Sequence, residues 1–362
     1  MGTTEVRAAL SIAVQIGQPV LLWGDPGQGK TSVLVQVAAA LGRPCEVVVG
    51  SIREASDFAG LPMRVDDAVS FVPPAWAVRC VEEPATVVFL DELTTAPPSV
   101  QAAMLRVVLD REVGDLQLPE TVSFVAAANP PESSAGGDDL SAPLANRFCH
   151  LDWEVEARDW VAGLVSGWPE PDLPRVPADI AAQVHRWEVL LAGFITARPT
   201  ALSSVPDDAT GMGRAWPSPR AWSAVARAAA ASDAAGAHPR VRSLLVNGLV
   251  GEGAGMEFLR YADRLDLPDP ELVLADPTLL STSARSDLLL AALAGVTAAV
   301  ACDCTEDRWH AAFEVLAHVC DAGQPDVAAL AANHLLPLRR PGWSAPPAAA
   351  AFLPVLRDAA LV

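Results

Sequence analysis

A glycine-rich loop between an apolar run and a helical run constrains the fold of this 362-residue chain more than any other feature. Residues 20–23 are apolar, the loop Gly24-Asp25-Pro26-Gly27-Gln28-Gly29-Lys30-Thr31 follows at once, and residues 32–41 repeat apolar side chains at helical spacing. Such glycines let backbone N–H groups turn inward around phosphate oxygens, and the positive end of the next helix points at them. The pattern therefore predicts a buried strand, a phosphate-binding loop and a helix, in that order.

The loop also predicts which residues contact a nucleoside triphosphate and its magnesium ion. Lys30 is the only lysine of the chain, and its ammonium is placed to pair with the β- and γ-phosphates. The hydroxyl of Thr31 is placed to hold Mg²⁺. We expect ATP and Mg²⁺ as cofactors, and the further nucleotide-binding residues predicted here are Gly24, Asp25, Pro26, Gly27, Gln28, Gly29 and Ser32.

Two adjacent acids follow a second apolar run. Residues 87–90 are Val, Val, Phe and Leu, and Asp91 and Glu92 come next. A buried strand that ends in this way brings both carboxylates to the carboxyl edge of a parallel sheet, where ligands of open α/β folds bind. We predict that Asp91 holds Mg²⁺ and that Glu92 acts as the general base toward the attacking water.

The rest of the chain predicts an α/β unit followed by helices. Further buried-strand candidates are residues 45–49, 122–128 and 148–153, and Pro97 and Pro98 open a helix. Strands alternating with helices indicate a parallel sheet covered on both faces, the αβα sandwich of a P-loop NTPase. We predict a nucleotide-binding domain at residues 1–155, an all-α lid domain at 156–243 and additional C-terminal helices at 244–362, with a buried core helix at 288–302.

The composition limits the classes of partner. A formal net charge of -19 repels phosphate backbones and anionic lipid at long range, so we expect neither nucleic acid nor a membrane as the partner. The apolar run at residues 288–302 is shorter than the roughly 20 residues that cross a bilayer. Scattered cysteines suit a reducing compartment, and the N-terminus has no readable secretory signal, so we expect a cytoplasmic protein.

Several motifs along residues 1–230 together resemble one family. Residues 90–113 contain the acid pair and the helix after it, 125–130 are Val-Ala-Ala-Ala-Asn-Pro, 144–148 are Leu-Ala-Asn-Arg-Phe, and 216–222 are Trp-Pro-Ser-Pro-Arg-Ala-Trp. These look like the Walker B segment, the sensor 1 strand, the arginine-finger segment and the start of the sensor 2 helix of the MoxR group of AAA+ ATPases, which includes the CbbQ and NorQ type chaperones. Asn146 stands where Asp is more familiar in that group, and the C-terminal helices exceed a minimal lid.

The resemblance implies catalytic roles for Asn129, Arg147 and Arg220. Asn129 closes a strand beside residue 90, where its amide reaches the γ-phosphate or the lytic water alongside Glu92. Arg147, just before an edge of the sheet, reaches the nucleotide of a neighbouring subunit and neutralises transition-state charge in trans. Arg220 begins a helix in the second domain, touches the γ-phosphate and reports the nucleotide state to the lid. Competing candidates for the finger are Arg53, Arg106 and Arg111.

The resemblance also implies a homo-oligomeric ring, usually a hexamer, that hydrolyses ATP and remodels, activates or matures a client protein in the manner of a chaperone. A partner with a von Willebrand factor A domain often accompanies this group. A second hypothesis is a nucleotide-gated scaffold, or a signalling or defence NTPase with little turnover, which uses the same site. A third is a small-molecule kinase, against which the AAA+ order of the motifs speaks.

One further segment carries two open interpretations. Residues 57–76 contain two short extended runs around Asp66 and Asp67. The pattern predicts either a hairpin insert that faces the pore or a client, or a surface loop.

Overall fold

The computed structural model describes residues 3–130, 140–264, 267–282 and 286–352. The described residues group into two compact units, one drawn from residues 1–177 and 200–256 and the other from residues 178–199 and 257–362. The division into domains at residues 155 and 243 stays a prediction. The predicted domains also include residues 1–2, 131–139, 265–266, 283–285 and 353–362, which lie outside the described residues.

A parallel sheet forms the centre of the first unit. In chain order, the strands of the described residues are β1 (Val20–Trp23), β2 (Cys45–Val49), β3 (Leu61–Val65), β4 (Ala68–Val72), β5 (Val87–Asp91), β6 (Glu112–Val113), β7 (Leu116–Gln117), β8 (Ser123–Ala128) and β9 (Cys149–Asp152). Five of them form one sheet in the order β2-β5-β8-β1-β9, and every pairing in it is parallel. The predicted strands are confirmed, and β9 lies at one edge of the sheet.

Helices account for most of the other regular structure in the described residues. They are α1 (Thr3–Gln15), α2 (Lys30–Ala40), α3 (Ser56–Ala59), α4 (Ala75–Glu82), α5 (Pro98–Asp110), α6 (Ala142–Ala145), α7 (Ala157–Ser166), α8 (Ala181–Ala197), α9 (Ala209–Met212), α10 (Pro219–Ala234), α11 (Pro239–Val250), α12 (Glu252–Arg264), α13 (Pro270–Ala275), α14 (Ser286–Cys302), α15 (Glu306–Asp321) and α16 (Pro325–Leu335). Pro98 occupies the first turn of α5, where its missing N–H costs nothing.

The three inner strands of the central sheet, β1, β5 and β8, are buried on both faces, which explains why they are almost entirely apolar. All residues of β1 and β8 are buried. Because successive side chains of a strand point to opposite faces, Leu21 and Leu22 belong to different layers. Leu21 shares one cluster with Trp76 of α4 and Met104 of α5, while α1 and α2 pack against the strands as well. The predicted αβα sandwich is confirmed.

Helix α11 covers the edge strand β9. The thiol of Cys149 contacts the carbonyl oxygen of Leu245 at 3.6 Å, and Gly248 lies against the backbone of His150. Helices α10 and α11 also pack against each other and against α1. An unpaired edge strand invites pairing with another chain, and a packed helix removes that exposure.

An antiparallel hairpin, β3–β4, projects from the first unit. Its register pairs Leu61 with Val72 and Arg64 with Val69. The backbone of Phe71 bonds to Asp115 twice, as donor to the carboxylate at 2.8 Å and as acceptor from its N–H at 3.0 Å. Of the two interpretations of residues 57–76, the structure therefore shows a hairpin anchored at one end.

The second unit is helical. Helix α14 packs against α8, α13 and α16, and its side chains Leu293, Val296 and Val300 are buried. The buried core helix predicted at residues 288–302 is thus confirmed. Trp309 of α15 donates its indole N–H to the carbonyl of Leu335 at 2.9 Å, so even the largest side chain of this core has its polar atom satisfied.

Candidate functional site

The glycine loop lies at the carboxyl end of β1, where backbone geometry explains its sequence. Gly27 and Gly29 have φ values of 82° and 74°, in the left-handed region that favours glycine. A Cβ on Gly24 would stand 2.5 Å from the carbonyl oxygen of Trp153. Gly29 immediately precedes α2, so the loop leads directly into the positive end of that helix.

Lys30 is held inside the loop by three acceptors. Its ammonium donates to the carbonyl oxygens of Gly24 at 2.5 Å and Asp25 at 3.1 Å, and to Oδ1 of Asn129 at 2.8 Å. Burial lowers the pKa of Lys30, and the carboxylates of Asp91 and Asp25 partly oppose that shift. The ammonium is therefore oriented in advance at the mouth of the loop.

A hydrogen bond joins the loop to the acid pair. The hydroxyl of Thr31 donates to Oδ2 of Asp91 at 2.9 Å. Asp91 is the last residue of β5, and its other oxygen accepts the backbone N–H of Glu92 at 2.9 Å. A hydroxyl and a carboxylate side by side are the hard oxygen donors that Mg²⁺ prefers together with phosphate oxygens. These two residues fit a magnesium site.

Glu92 adopts an unusual backbone conformation and is tied to β2. Its φ of 56° lies in the left-handed region, which is uncommon for a residue other than glycine. Its carboxylate accepts a hydrogen bond from the hydroxyl of Ser51, which follows β2. We did not predict a role for Ser51. Parallel strands end at the same edge of a sheet, and β2 pairs with β5. Ser51, which follows β2, therefore lies at the same edge as Asp91 and Glu92.

Most of the predicted phosphate-binding residues share one cavity. It has a volume of about 340 Å³ and is lined by residues 26–32 together with Asp91, Glu92 and Asn129, while Gly24 and Asp25 are not part of its lining. Asn129 follows β8, which lies next to β5, as the sequence predicted. Sites assembled from distant segments in this way, with a partly buried lysine and two acids, are candidates for chemistry.

A larger cavity opens beside the loop and was not predicted. It measures about 640 Å³ and is lined by Gln28 and Ser32 together with Arg7, Trp153 and Trp160, among others. Trp153 donates its indole N–H to the carbonyl of Gln28 at 2.8 Å, and the guanidinium of Arg7 lies 5.6 Å from the centre of its ring. Aromatic walls next to a phosphate loop suit a nucleobase.

Arg147 and Arg220 lie together, away from Lys30 of their own chain. Both line a cavity of about 190 Å³ that also includes Gln18 and Pro19. Pro19 precedes β1 and the glycine loop follows it, so this cavity is at the opposite edge of the sheet. A strand of four residues separates the two edges by about 13 Å.

The charge of Arg147 is poorly compensated. Burial lowers the pKa of Arg147, and the neighbouring guanidinium of Arg220 lowers it further, against a smaller opposing effect of Asp110. Among the described residues, neither Arg147 nor Arg220 forms an ion pair with a carboxylate. A pair of cations with no carboxylate in ion-pair contact favours an external anion.

The competing finger candidates have partners. Arg53 pairs with Asp57 at 3.8 Å, and Arg106 pairs with Glu112 at 2.5 Å. Arg111 donates to the carbonyl oxygens of Val122 and Pro119, and its pKa is lowered by burial. Each of these three arginines therefore contacts an acceptor of its own chain.

Two findings concern metals and membranes. Within the ranges that the structure describes, no group of three or more His, Cys, Asp or Glu side chains is arranged to hold a metal ion. In the same ranges, no helix combines the length and the apolar character needed to cross a bilayer.

A family model and two known proteins match parts of this chain. Residues 19–148 match the AAA domain family, dynein-related subfamily. The chain is 34% identical over 114 residues to Protein MoxR of Methylorubrum extorquens, which covers 31% of this chain and 33% of MoxR. It is 25% identical over 171 residues to Midasin of Giardia intestinalis, and this match covers 44% of this chain and 4% of Midasin. The matches therefore span about a third of MoxR and a small part of Midasin.

A solved structure is similar over more of the chain. The crystal structure of a candidate ATPase from Cytophaga hutchinsonii superimposes with a TM-score of 0.42 and 15% sequence identity, covering 71% of this chain and 92% of that one.

Proposed function

We propose that this chain, which carries an AAA+ domain of the MoxR-like type, binds Mg·ATP at residues 24–32, hydrolyses it within a ring and uses the energy to remodel a partner protein. The observation that carries the proposal is the bond of 2.9 Å between the Thr31 hydroxyl and the Asp91 carboxylate. It joins the phosphate loop to the acid pair, beside the lysine that contacts Asn129.

The residues of the site divide the work of hydrolysis. Lys30 and the backbone N–H groups of the loop bind and orient the phosphates. Thr31 and Asp91 hold Mg²⁺, which supplies charge neutralisation when bound. Glu92 accepts the proton of the attacking water as general base, and Asn129 fixes the ammonium of Lys30 and faces the same cavity.

The position of the two arginines supports the proposed ring. Arg147 and Arg220 lie at the amino edge of the sheet, whereas Lys30 lies at the carboxyl edge. We infer that both arginines serve the nucleotide of a neighbouring subunit, where they stabilise the charge of the transition state. We also propose that Arg220 contacts the γ-phosphate of the nucleotide bound by the neighbouring subunit. A hexamer is the assembly that the MoxR resemblance implies.

An exposed apolar hairpin supports contact with a client protein. On β3–β4, Leu61, Met63, Val69 and Phe71 are all exposed, with Val69 retaining 67% of its accessible surface. Apolar side chains clustered on a projecting element mark a contact surface more often than a solvated one. We propose that the hairpin touches the client, that a partner with a von Willebrand factor A domain recruits it, and that the complex works in the cytoplasm.

Steady-state ATPase assays on the wild type and on Glu92→Gln test hydrolysis. We expect the substitution to lower kcat by about 100- to 10,000-fold, because the amide cannot accept the proton. Calorimetric titration with Mg·ATP should give similar affinities for both proteins. A wild type that binds Mg·ATP but turns it over no faster than Glu92→Gln would favour the nucleotide-gated scaffold instead.

Mixed assemblies test the action in trans. Lys30→Ala removes the phosphate contact of a subunit and leaves its arginines intact. Arg147→Ala removes the proposed finger and leaves the phosphate loop intact. Each variant alone should be inactive, and a mixture should recover turnover at interfaces that join an intact loop to an intact finger. If the mixture is as inactive as the single variants while sedimentation shows that both assemble, Arg147 does not act in trans.

A further inference from the structure

A buried amide connects the two segments that carry Arg147 and Arg220. Asn146, which directly precedes Arg147, donates from Nδ2 to the carbonyl oxygen of Trp216 at 2.8 Å and accepts at Oδ1 from the hydroxyl of Ser218 at 2.6 Å. Both side chains are buried, with 8% of Asn146 and 7% of Ser218 exposed. Hydrogen bonds in such a site are strong, because water does not compete for the donors and acceptors.

Ser218 also fixes the start of α10. Its hydroxyl oxygen accepts the backbone N–H of Ala221 at 3.2 Å, which makes Ser218 the N-cap of that helix. Arg220 is the second residue of α10, so the cap orients the turn from which its guanidinium projects. The amide of Asn146 is therefore bonded to the residue that sets the direction of Arg220, while its own backbone leads into Arg147.

The guanidiniums of Arg147 and Arg220 repel each other, so other contacts have to hold their two segments together. Arg147 and Arg220 line the same cavity, and the guanidinium of Arg147 bonds to the carbonyl of Pro143. In the described residues its buried Nε atom has no hydrogen-bond partner. The segments are thus not held together by attraction between the arginines. The Asn146 amide links them where the arginines lie, and the ion pair of Arg214 with Asp152 at 2.8 Å joins them further along.

An uncharged link suits this position better than a carboxylate. Aspartate at 146 could still accept from Ser218 but would turn its second oxygen toward the carbonyl of Trp216, where both groups are acceptors. A carboxylate there would also attract the adjacent guanidiniums away from an external anion. The amide satisfies both neighbours and leaves the two cations uncompensated.

We propose that Asn146 is a positioning residue which, through Ser218, holds Arg147 and Arg220 as one pair facing the phosphate of the nucleotide bound by the neighbouring subunit. This inference rests on the proposed function, because it presumes that the arginines act in trans. It predicts that a subunit lacking the amide keeps a working phosphate loop and fails only as a donor of the arginine pair.

Complementation between variants tests the inference. Asn146→Ala alone should lose at least about tenfold in kcat, since misplaced transition-state contacts lower turnover, and its Kd for Mg·ATP should stay within about twofold of the wild type. Mixed in equal amounts with Lys30→Ala, it should recover turnover at about a quarter of the sites, the fraction of interfaces that pair an intact loop with intact arginines. The mixture of Arg147→Ala with Lys30→Ala calibrates this recovery.

Companion variants separate positioning from stability. Ser218→Ala breaks the same link from its other end and should complement Lys30→Ala in the same way, whereas Ser218→Thr keeps the hydroxyl and should retain turnover alone. Thermal melts verify that each variant is folded. Asn146→Asp should also lower kcat, because the new carboxylate engages the arginines.

The outcomes distinguish the inference from the function it rests on. Recovery by the Arg147→Ala mixture but not by the Asn146→Ala or Ser218→Ala mixtures would refute the positioning role and leave the trans arrangement standing. No recovery in the Arg147→Ala mixture would overturn the trans arrangement, and the inference with it. Full turnover of Asn146→Ala alone would also refute the role.

Discussion

The hydroxyl of Ser51 donates a hydrogen bond to the carboxylate of Glu92, joining the turn after β2 to the end of β5. The register explains the meeting, because Val49 is paired with Asp91 in the sheet and both chains continue past its carboxyl edge. One carboxylate oxygen of Glu92 is therefore engaged by a neighbouring strand. Because this hydrogen bond stabilises the ionised carboxylate, it weakens Glu92 as an acceptor of the proton from water.

Removal of the Ser51 hydroxyl should release the general base. We expect Ser51→Ala to raise kcat by about threefold to tenfold, the equivalent of roughly 1 kcal/mol for a partly exposed hydrogen bond to a charged group. Steady-state turnover at saturating Mg·ATP measures the effect, and Ser51→Thr, which keeps a hydroxyl, should resemble the wild type. A fall of Ser51→Ala to the level of Glu92→Gln would show that Ser51 supports the base.

The sequence predicted the parts of the site that are contiguous or that end neighbouring strands. The glycine loop, Lys30, Thr31 and the acid pair are contiguous motifs, and Asn129 follows from the rule that parallel strands end at one edge. The contact of Ser51 with Glu92 depends on the register between β2 and β5, which spacing alone does not specify. The aromatic cavity around Trp153 depends on how α1 and α7 approach the loop.

The strands that are buried on both faces could be predicted from the sequence. The places where helices pack against the sheet could not. Strands β1, β5 and β8 are buried on both faces and appear as unbroken apolar runs. The start of α10 was predicted, and the region of α11 only as helical, with the predicted domain boundary at residue 243 inside α11. The place of both helices against β9 and α1 could not be derived from periodicity. The meeting of Arg147 with Arg220 follows from that packing, which is why their shared cavity was not predicted.

Magnesium removal should separate binding from chemistry at Thr31. Chelation of Mg²⁺ should abolish turnover of the wild type, and Thr31→Ala should need at least about tenfold more Mg²⁺ for half-maximal turnover, because it loses one oxygen donor. A Mg²⁺ titration of kcat at fixed ATP measures the shift. Thr31→Ser retains the hydroxyl and should stay near the wild type. An unchanged Mg²⁺ requirement in Thr31→Ala would contradict the assigned ligand.

His150 is a buried base whose proton balance affects stability. Its Nδ1 accepts the indole N–H of Trp23 at 2.8 Å, and its Nε2 donates to the carbonyl of Ala145 at 2.9 Å, so the ring is neutral. Burial lowers the pKa of His150 to about 4. In the unfolded chain the same ring has an ordinary pKa near 6.5.

Acid should therefore destabilise the first unit through His150. Above about pH 6.5 the ring is neutral in both the folded and the unfolded chain, so it does not change the free energy of unfolding. Between about pH 6.5 and 4 only the unfolded chain binds the proton. The free energy of unfolding therefore falls across this window by roughly 3 kcal/mol. Denaturant unfolding at several pH values measures the slope. In His150→Gln, whose amide can replace both hydrogen bonds without titrating, the slope between pH 6.5 and 4 should be shallower. Identical slopes would show that His150 does not carry the effect.

Gly248 allows α11 to lie on the edge strand, and a methyl group there should force them apart. A Cβ at this position would collide with the carbonyl oxygen of His150 and lie 2.8 Å from the sulfur of Cys149, so the clash is with backbone that cannot rotate away. We expect Gly248→Ala to lower the free energy of unfolding by about 1–3 kcal/mol and to lower Tm by several degrees, despite the better helix propensity of alanine. Gly253→Ala in α12 is the matched control: a Cβ there meets no atom within 4 Å, and the variant should melt at or above the wild-type temperature. Calorimetric melts of the two variants compare them directly, and a Gly248→Ala protein as stable as Gly253→Ala would mean that α11 does not depend on this close approach.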